Sequence, residues 1–295
     1  MNINFFTLGS IHGRFNRFNL KNMLRTIFYL LPPGVRLFIR KVVYFPADLI
    51  QGRSGELRPP RRLIYTGGGD FRLIGEQWVA FFEEYAGLNE ENNVLDIGSG
   101  IGRIAIPMTR FLRGRYEGFD AVKQGVDWCR KHISKRFPNF RFTYVDLFND
   151  LYKSKGVNAA NFVFPYKEEE FDLACSISVF THMLPEEVEN YLRETHRVLK
   201  NRGYLVASFF ILDEDSRRRM AEYDGLDFRH SYGHYALLDK KVKSANVAFD
   251  RGYLLEAVER AGFVLERETA GHWCGREKVQ AMRFQDILVL RKVAV

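Results

Sequence analysis

The residues best suited to chemistry in this chain lie between Val94 and Arg103. An apolar run carrying an acid, Val94-Leu95-Asp96-Ile97, leads into Gly98, Gly100 and Gly102, spaced two apart, with Ser99 inside the loop and Arg103 just after it. Glycine serves where φ must be positive or where backbone must approach a ligand closely. A helix that starts after such a loop presents unpaired N–H groups and the positive end of its dipole. The pattern therefore predicts a ligand slot at the carboxyl end of a parallel strand. A dinucleotide fingerprint needs a third glycine where Arg103 stands, and a phosphate loop needs a Lys-Ser/Thr pair that is missing here. Two further acids, Asp120 and Asp146, each end a later apolar run. Asp120 follows Asp96 by 24 residues, a spacing that places a carboxylate to accept from both hydroxyls of a ribose. The segment Ser176–Pro185 holds one titratable side chain, His182, and an imidazole suits proton removal near neutral pH.

These groups converge only if strands and helices alternate. Arg115–Phe119, Arg141–Val145, Phe171–Ser176 and Tyr204–Leu212 read as strands after Val94–Ile97, and Phe263–Glu268 and Phe284–Arg291 as a closing pair. Gly75–Tyr85 reads as an amphipathic helix, with Trp78, Val79, Phe82 and Tyr85 on one face, and Tyr253–Ala261 as another. Such alternation predicts an α/β domain around a mostly parallel sheet.

The run Val94–Gly102 resembles motif I of the class I S-adenosylmethionine-dependent methyltransferases, in which two hydrophobic residues, Asp and a further hydrophobic residue precede Gly-x-Gly-x-Gly. The strand-end acids follow in the family's order. The resemblance covers about residues 63–295 and implies a Rossmann-like class I methyltransferase fold, a seven-stranded mostly parallel sheet with helices on both faces and an antiparallel last strand. It implies S-adenosylmethionine as cofactor, S-adenosylhomocysteine as product, and no metal. The cofactor residues it implies are Asp96, Gly98, Ser99, Gly100 and Arg103 around the loop, and Asp120 with Ala121 at the ribose. Asp146 and Leu147 fall at the adenine, and Ser176 and Ile177 at the methionine end. The segment Leu63–Phe71 is expected to fold over the cofactor, with Tyr65 stacking or donating its hydroxyl beside Gly67, Gly68 and Gly69; a flexible hinge is the other reading. His182 is the expected general base, the alternatives being a cap for the helix starting at Pro185 or a role in positioning the cofactor. The stretch from Ser176 to His182 also resembles part of the cyclopropane fatty acid synthases, with Thr181 where those enzymes have Glu.

Charge divides the chain. Residues 1–62 hold 11 Lys/Arg and 2 Asp/Glu, a balance of +9 against +8 for the whole chain, so the rest is close to neutral. This stretch is expected to form a basic amphipathic helical arm, joined to the domain 63–295 through Arg58–Arg62. Arg25, Pro32, Pro33, Arg36, Arg40 and Lys41 interrupt every window long enough to span a membrane. Two readings remain for residues 14–45: contact with an anionic membrane surface, or packing on the domain. Nucleic acid is disfavoured, because the arm's aromatic residues follow its apolar stripe rather than its charges. Cys129, Cys175 and Cys274 form neither a metal spacing nor a disulfide framework, which points to a reducing compartment. A cytoplasmic protein, peripheral on the inner membrane face if the arm binds lipid, is expected. Insertions at about 148–170 and 213–249 are expected to shape the acceptor pocket as lids; Trp273 and Arg276 would touch the acceptor or brace the sheet edge. The reaction expected is methyl transfer to an O, N or C atom of a small-molecule, saccharide or lipid-linked acceptor. The rival readings are a catalytically silent binding or scaffold protein at a membrane and a nicotinamide-dependent oxidoreductase. The number of subunits is not written in the sequence.

Overall fold

The computed structural model describes residues 57–65, 69–147, 156–223, 225–278 and 283–293, with Val35, Val42 and Val43 as isolated positions. Residues 1–56 of the expected arm, apart from those three, and Gly67 and Gly68 lie outside the described residues. Asp70 opens helix α1 (Phe71–Ala86), its Oδ1 accepting from the N–H groups of Arg72 and Leu73 at 2.9 Å each. The helix thus starts four residues before the amphipathic pattern does. Gly87 ends it in the left-handed conformation, at φ 64°.

The central sheet follows the order β10-β11-β5-β4-β1-β2-β3. Its strands are β1 (Val94–Ile97), β2 (Tyr116–Asp120), β3 (Phe140–Tyr144), β4 (Phe171–Ser176), β5 (Leu199–Phe209), β10 (Phe263–Thr269) and β11 (Asp286–Lys292). β1 pairs in parallel with both β2 and β4, and β4 with β5; β11 runs antiparallel between β5 and β10. Chain order reverses direction across the sheet at β1 and β4, so their carboxyl ends flank the crevice where open α/β sheets take ligands. All four residues of β1 are buried, as expected for a strand covered on both faces. One face packs on α1 through Trp78, Phe82, Tyr116 and Phe140; the other packs on helix α4 (Pro185–Val198) through Phe119, Tyr191 and Leu192.

Two expectations are corrected here. The helix after the glycine loop, α2, is a single turn, Ala105–Met108, and it starts only at Ala105 because Pro107 has no N–H to donate back to Arg103 O. Its dipole is correspondingly weak, and the loop's own N–H groups are the donors that count. Phe162, Phe164 and Tyr166, expected in an acceptor lid, instead pack around Phe119 of β2, with Phe164 only 1% exposed. Packing of these rings on Phe119 takes apolar surface out of water and anchors the insertion to the sheet. The 213–249 insertion is a small body with secondary structure of its own. It holds α5 (Glu214–Glu222) and a second sheet of β6 (Ile211–Leu212), β9 (Val247–Asp250), β8 (Tyr235–Leu237) and β7 (His230–Ser231), packed on Phe210, Phe228 and Trp273. Among the described residues, no helix is long and apolar enough to cross a membrane.

Candidate active site

The glycine loop is held against the end of β2. The N–H groups of Gly98 and Ser99 both donate to Phe119 O, at 2.9 and 3.0 Å, and Gly100 N donates to Asp120 Oδ2 at 2.8 Å. Gly98 has φ 76°, and a Cβ built there would lie 2.3 Å from Val179 Cγ2. The loop after β4 therefore crosses directly over the loop after β1, which only a glycine at 98 permits. Asp120 is buried and accepts three hydrogen bonds: from Gly100 N, from Val122 N at 2.7 Å, and from the Tyr65 hydroxyl at 3.1 Å. Burial pushes its carboxyl above the usual carboxylate range, and the three donors pull it back in part.

Asp96 lies beneath the loop, 2% exposed, bonded by the Tyr116 hydroxyl and by Cys175 Sγ at 3.5 Å. Both oxygens face protein groups, so Asp96 braces β1 against β2 and β4. Burial raises its carboxyl to about 6, against an ordinary 3.8, although Tyr116 and Cys175 oppose the rise. A carboxyl raised on folding is indifferent to stability below about pH 4, where it is protonated folded and unfolded. It opposes folding increasingly as pH rises to about 6, and fully above that, on the order of 3 kcal/mol. Asp96→Asn should therefore gain stability relative to the parent between pH 5 and 8. Thermal melts of both proteins across that range test this; a difference constant with pH would disprove the assignment.

The other expected residues fall around the same crevice. Ala121 follows β2 and packs on the core below. Asp146, at the end of β3, is exposed, and its backbone carbonyl accepts from Val157 N at 2.8 Å, while Leu147 beside it is buried. Arg103 lies over the Phe71 ring, 5.0 Å from its centroid. Gly69 is exposed at φ 79°. Ile177 is half-buried after β4. Two buried hydroxyls at the ends of β1 and β4, Ser99 Oγ and Ser176 Oγ, have no hydrogen-bond partner in the protein. Unpaired buried donors of this kind cost about 1–3 kcal/mol each, and a bound polar ligand removes the cost.

His182 closes a short 3₁₀ turn, Phe180–His182, directly after Val179. Its Nδ1 lies 2.7 Å from the backbone oxygen of Ser244. A carbonyl only accepts, so Nδ1 carries the proton and the lone pair of the neutral ring falls on Nε2. Helix α4 is capped by Glu187, whose Oε2 accepts from Leu184 N at 2.7 Å, which leaves His182 without the capping role.

A polar cluster invisible in the sequence fixes this loop. Gln285 Oε1 accepts from the hydroxyls of Ser178 and Ser208, each at 2.8 Å, and Ser208 Oγ accepts from Ser178 N at 2.7 Å. Ser178 is held at φ 59°, a strained conformation for a residue with a side chain. Gln285 lies 107 residues from Ser178, so no local pattern marks it. Trp273 and Arg276 brace rather than face a ligand. Trp273 is fully buried and donates from Nε1 to Asp286 at 2.7 Å, while Arg276 pairs with Asp213, Asp215 and Asp286. Arg218 and Arg219 are likewise taken by Asp215, and Arg217 by Asp250. Among the described residues, no group of three or more His, Cys, Asp or Glu is placed to hold a metal ion. A groove of about 810 Å³ against Arg115, Glu117, Arg141 and Tyr166 lies at the other end of β2 and β3, away from these residues.

Residues 95–207 match the family described as a methyltransferase domain. Among solved structures, the cyclase SpnF superposes with a TM-score of 0.52 at 18% identity, over 78% of this chain and 85% of that one. A protein from Pyrococcus horikoshii OT3 superposes with a TM-score of 0.52 at 15% identity, over 79% of this chain and 95% of that one. At these identities the likeness to either structure is one of fold.

Proposed function

We propose, for a chain that carries the methyltransferase domain of the class I, S-adenosylmethionine-dependent family, transfer of the methyl group to an O, N or C atom of a small-molecule, saccharide or lipid-linked acceptor. The observation that carries the reading is the buried Asp120 carboxylate, held by Gly100 N at the mouth of the glycine loop. A carboxylate fixed there accepts from a ribose diol, and the exposed Asp146 with Leu147 beside it suits an adenine edge and face. The unpaired Ser99 and Ser176 hydroxyls and the Arg103 guanidinium suit the charged tail of the methionine moiety. The cofactor supplies a methyl group on a positively charged sulfur and leaves as S-adenosylhomocysteine.

The remaining work belongs to the protein's own residues. Val179, packed on Gly98, sets how closely the loop after β4 approaches the cofactor slot. Ser178, Ser208 and Gln285 hold that loop rigid, which favours a near-attack alignment of donor and acceptor atoms. His182 Nε2 takes the proton that an acceptor hydroxyl or amine gives up as the new bond forms. The fold alone leaves the reaction open, since a cyclase shares it; the reading rests on the site. Calorimetric titration with S-adenosylmethionine, S-adenosylhomocysteine and NAD tests it. Saturable binding of the first two and none of NAD is expected; binding of NAD alone would defeat it.

For residues 14–45 we favour contact with an anionic membrane surface, on the strength of the +9 balance of residues 1–62 and their apolar stripe. A chain shortened to residues 58–295 should keep its affinity for S-adenosylhomocysteine and lose binding to vesicles containing phosphatidylserine. Failure of the full chain to sediment with such vesicles at low salt would refute the membrane role.

A further inference from the structure

We propose that Tyr65 stands in for a ribose hydroxyl: it occupies the acid the cofactor needs, so that the segment ending at Tyr65 covers the nucleoside site and withdraws as the cofactor enters. The inference rests on Asp120 being the ribose acid, as read above. A carboxylate offers about two acceptor positions on each oxygen. Backbone donors take one on each, Val122 N on Oδ1 and Gly100 N on Oδ2. The Tyr65 hydroxyl takes the second position on Oδ1. A diol bridging the two oxygens therefore meets an occupied site until Tyr65 leaves.

The space is contested as well as the hydrogen bond. A Cβ built on Gly125 would lie 2.7 Å from the Tyr65 hydroxyl and 2.4 Å from Gly100 O. The hydroxyl thus lodges in a notch between the glycine loop and the start of helix α3 (Lys123–Cys129), kept open by the missing side chain at 125. The segment behind it is seated rather than loose. Arg61–Leu63 forms one 3₁₀ turn, and Leu57, Leu63 and Ile64 pack half-buried against the cluster that holds α1. At 3.1 Å the Tyr65 bond is the longest of the three on Asp120, and the one made by a side chain that can rotate away. An incoming diol replaces it with bonds of the same kind, so the exchange is close to balanced for a ribose and unfavourable for a molecule that offers no hydroxyls.

This reading and a role for Tyr65 in gripping the bound cofactor predict opposite signs. Affinity for S-adenosylhomocysteine is measured by calorimetry on the full chain, and association rates by stopped flow. Tyr65→Phe keeps the ring and its packing but has no hydroxyl to compete. It should bind S-adenosylhomocysteine roughly three- to tenfold more tightly than the parent, the effect of removing one competing hydrogen bond to a carboxylate. The parent's association rate should level off as ligand concentration rises, because withdrawal of Tyr65 becomes limiting, and the variant should raise that ceiling. Equal or weaker binding by Tyr65→Phe overturns the proposal and makes the hydroxyl a cofactor contact or a bystander. If neither protein binds S-adenosylhomocysteine, the cofactor reading of Asp120 fails first and takes this inference with it.

Discussion

His182→Ala should lower turnover by about 10²–10⁴-fold with the true acceptor, the usual range for a positioned base. Affinity for S-adenosylhomocysteine should stay within about twofold, since Asp120, Asp146 and the glycine loop are untouched. The geometry behind this is the Nδ1 contact to Ser244 O, which leaves the ring's lone pair on Nε2. The base acts only when neutral, so the parent's rate should fall as the solution is acidified, and the variant should lack that limb. His182→Gln, which can still donate towards Ser244, separates positioning from proton transfer: it should restore the loop but not the pH limb. Full activity in the alanine variant would leave catalysis to alignment alone.

Asp120→Ala should weaken cofactor binding by about 2–3 kcal/mol, or roughly 30- to 150-fold, through loss of two charge-assisted hydrogen bonds to the ribose. The loss has a second source. The N–H groups of Gly100 and Val122 would be stranded when their shared acceptor goes, so the loop itself should loosen. Asp120→Asn retains one acceptor oxygen and should fall between parent and alanine. Calorimetry on variants with unchanged circular dichroism measures both, and unaltered affinity in the alanine variant would remove Asp120 from the site.

Much of the candidate site is marked in the sequence because its pattern is local. The glycine spacing, the acids at 96, 120 and 146 and His182 each sit within a few residues of a strand end, and strand ends are written in short patterns. What was not legible depends on contacts between distant segments. Apolar pattern marked Phe162, Phe164 and Tyr166 as aromatic but not which surface they cover, and Phe119 claimed them for the core. The two- and three-residue strands β7 and β8 are too short to carry a period, so nothing in the sequence marks the small sheet within 213–249. Asp96 was read as a ligand contact from its place in the motif. Its partners Tyr116 and Cys175, 20 and 79 residues away, turn it inward. Tyr65 is expected over the cofactor from the resemblance, and its bond to Asp120 spans 55 residues and has no sequence signature.

The position of β11 ties the integrity of the loop after β4 to a strand far from it in sequence. Gln285, which pins Ser178 and Ser208, precedes β11 by one residue, and Asp286, the strand's first residue, accepts from Ile211 N, Gly271 N and Trp273 Nε1. The same strand fills the space between β5 and β10. A local opening that lifted β11 would at once unzip two strand pairings, release the small sheet from its buried anchor and set the strained Ser178 free to relax. The order of the loop after β4 is therefore tied to that of the sheet: an opening that lifts β11 also releases Ser178, so loss of that loop's order and loss of the sheet's cooperativity should appear together in hydrogen exchange.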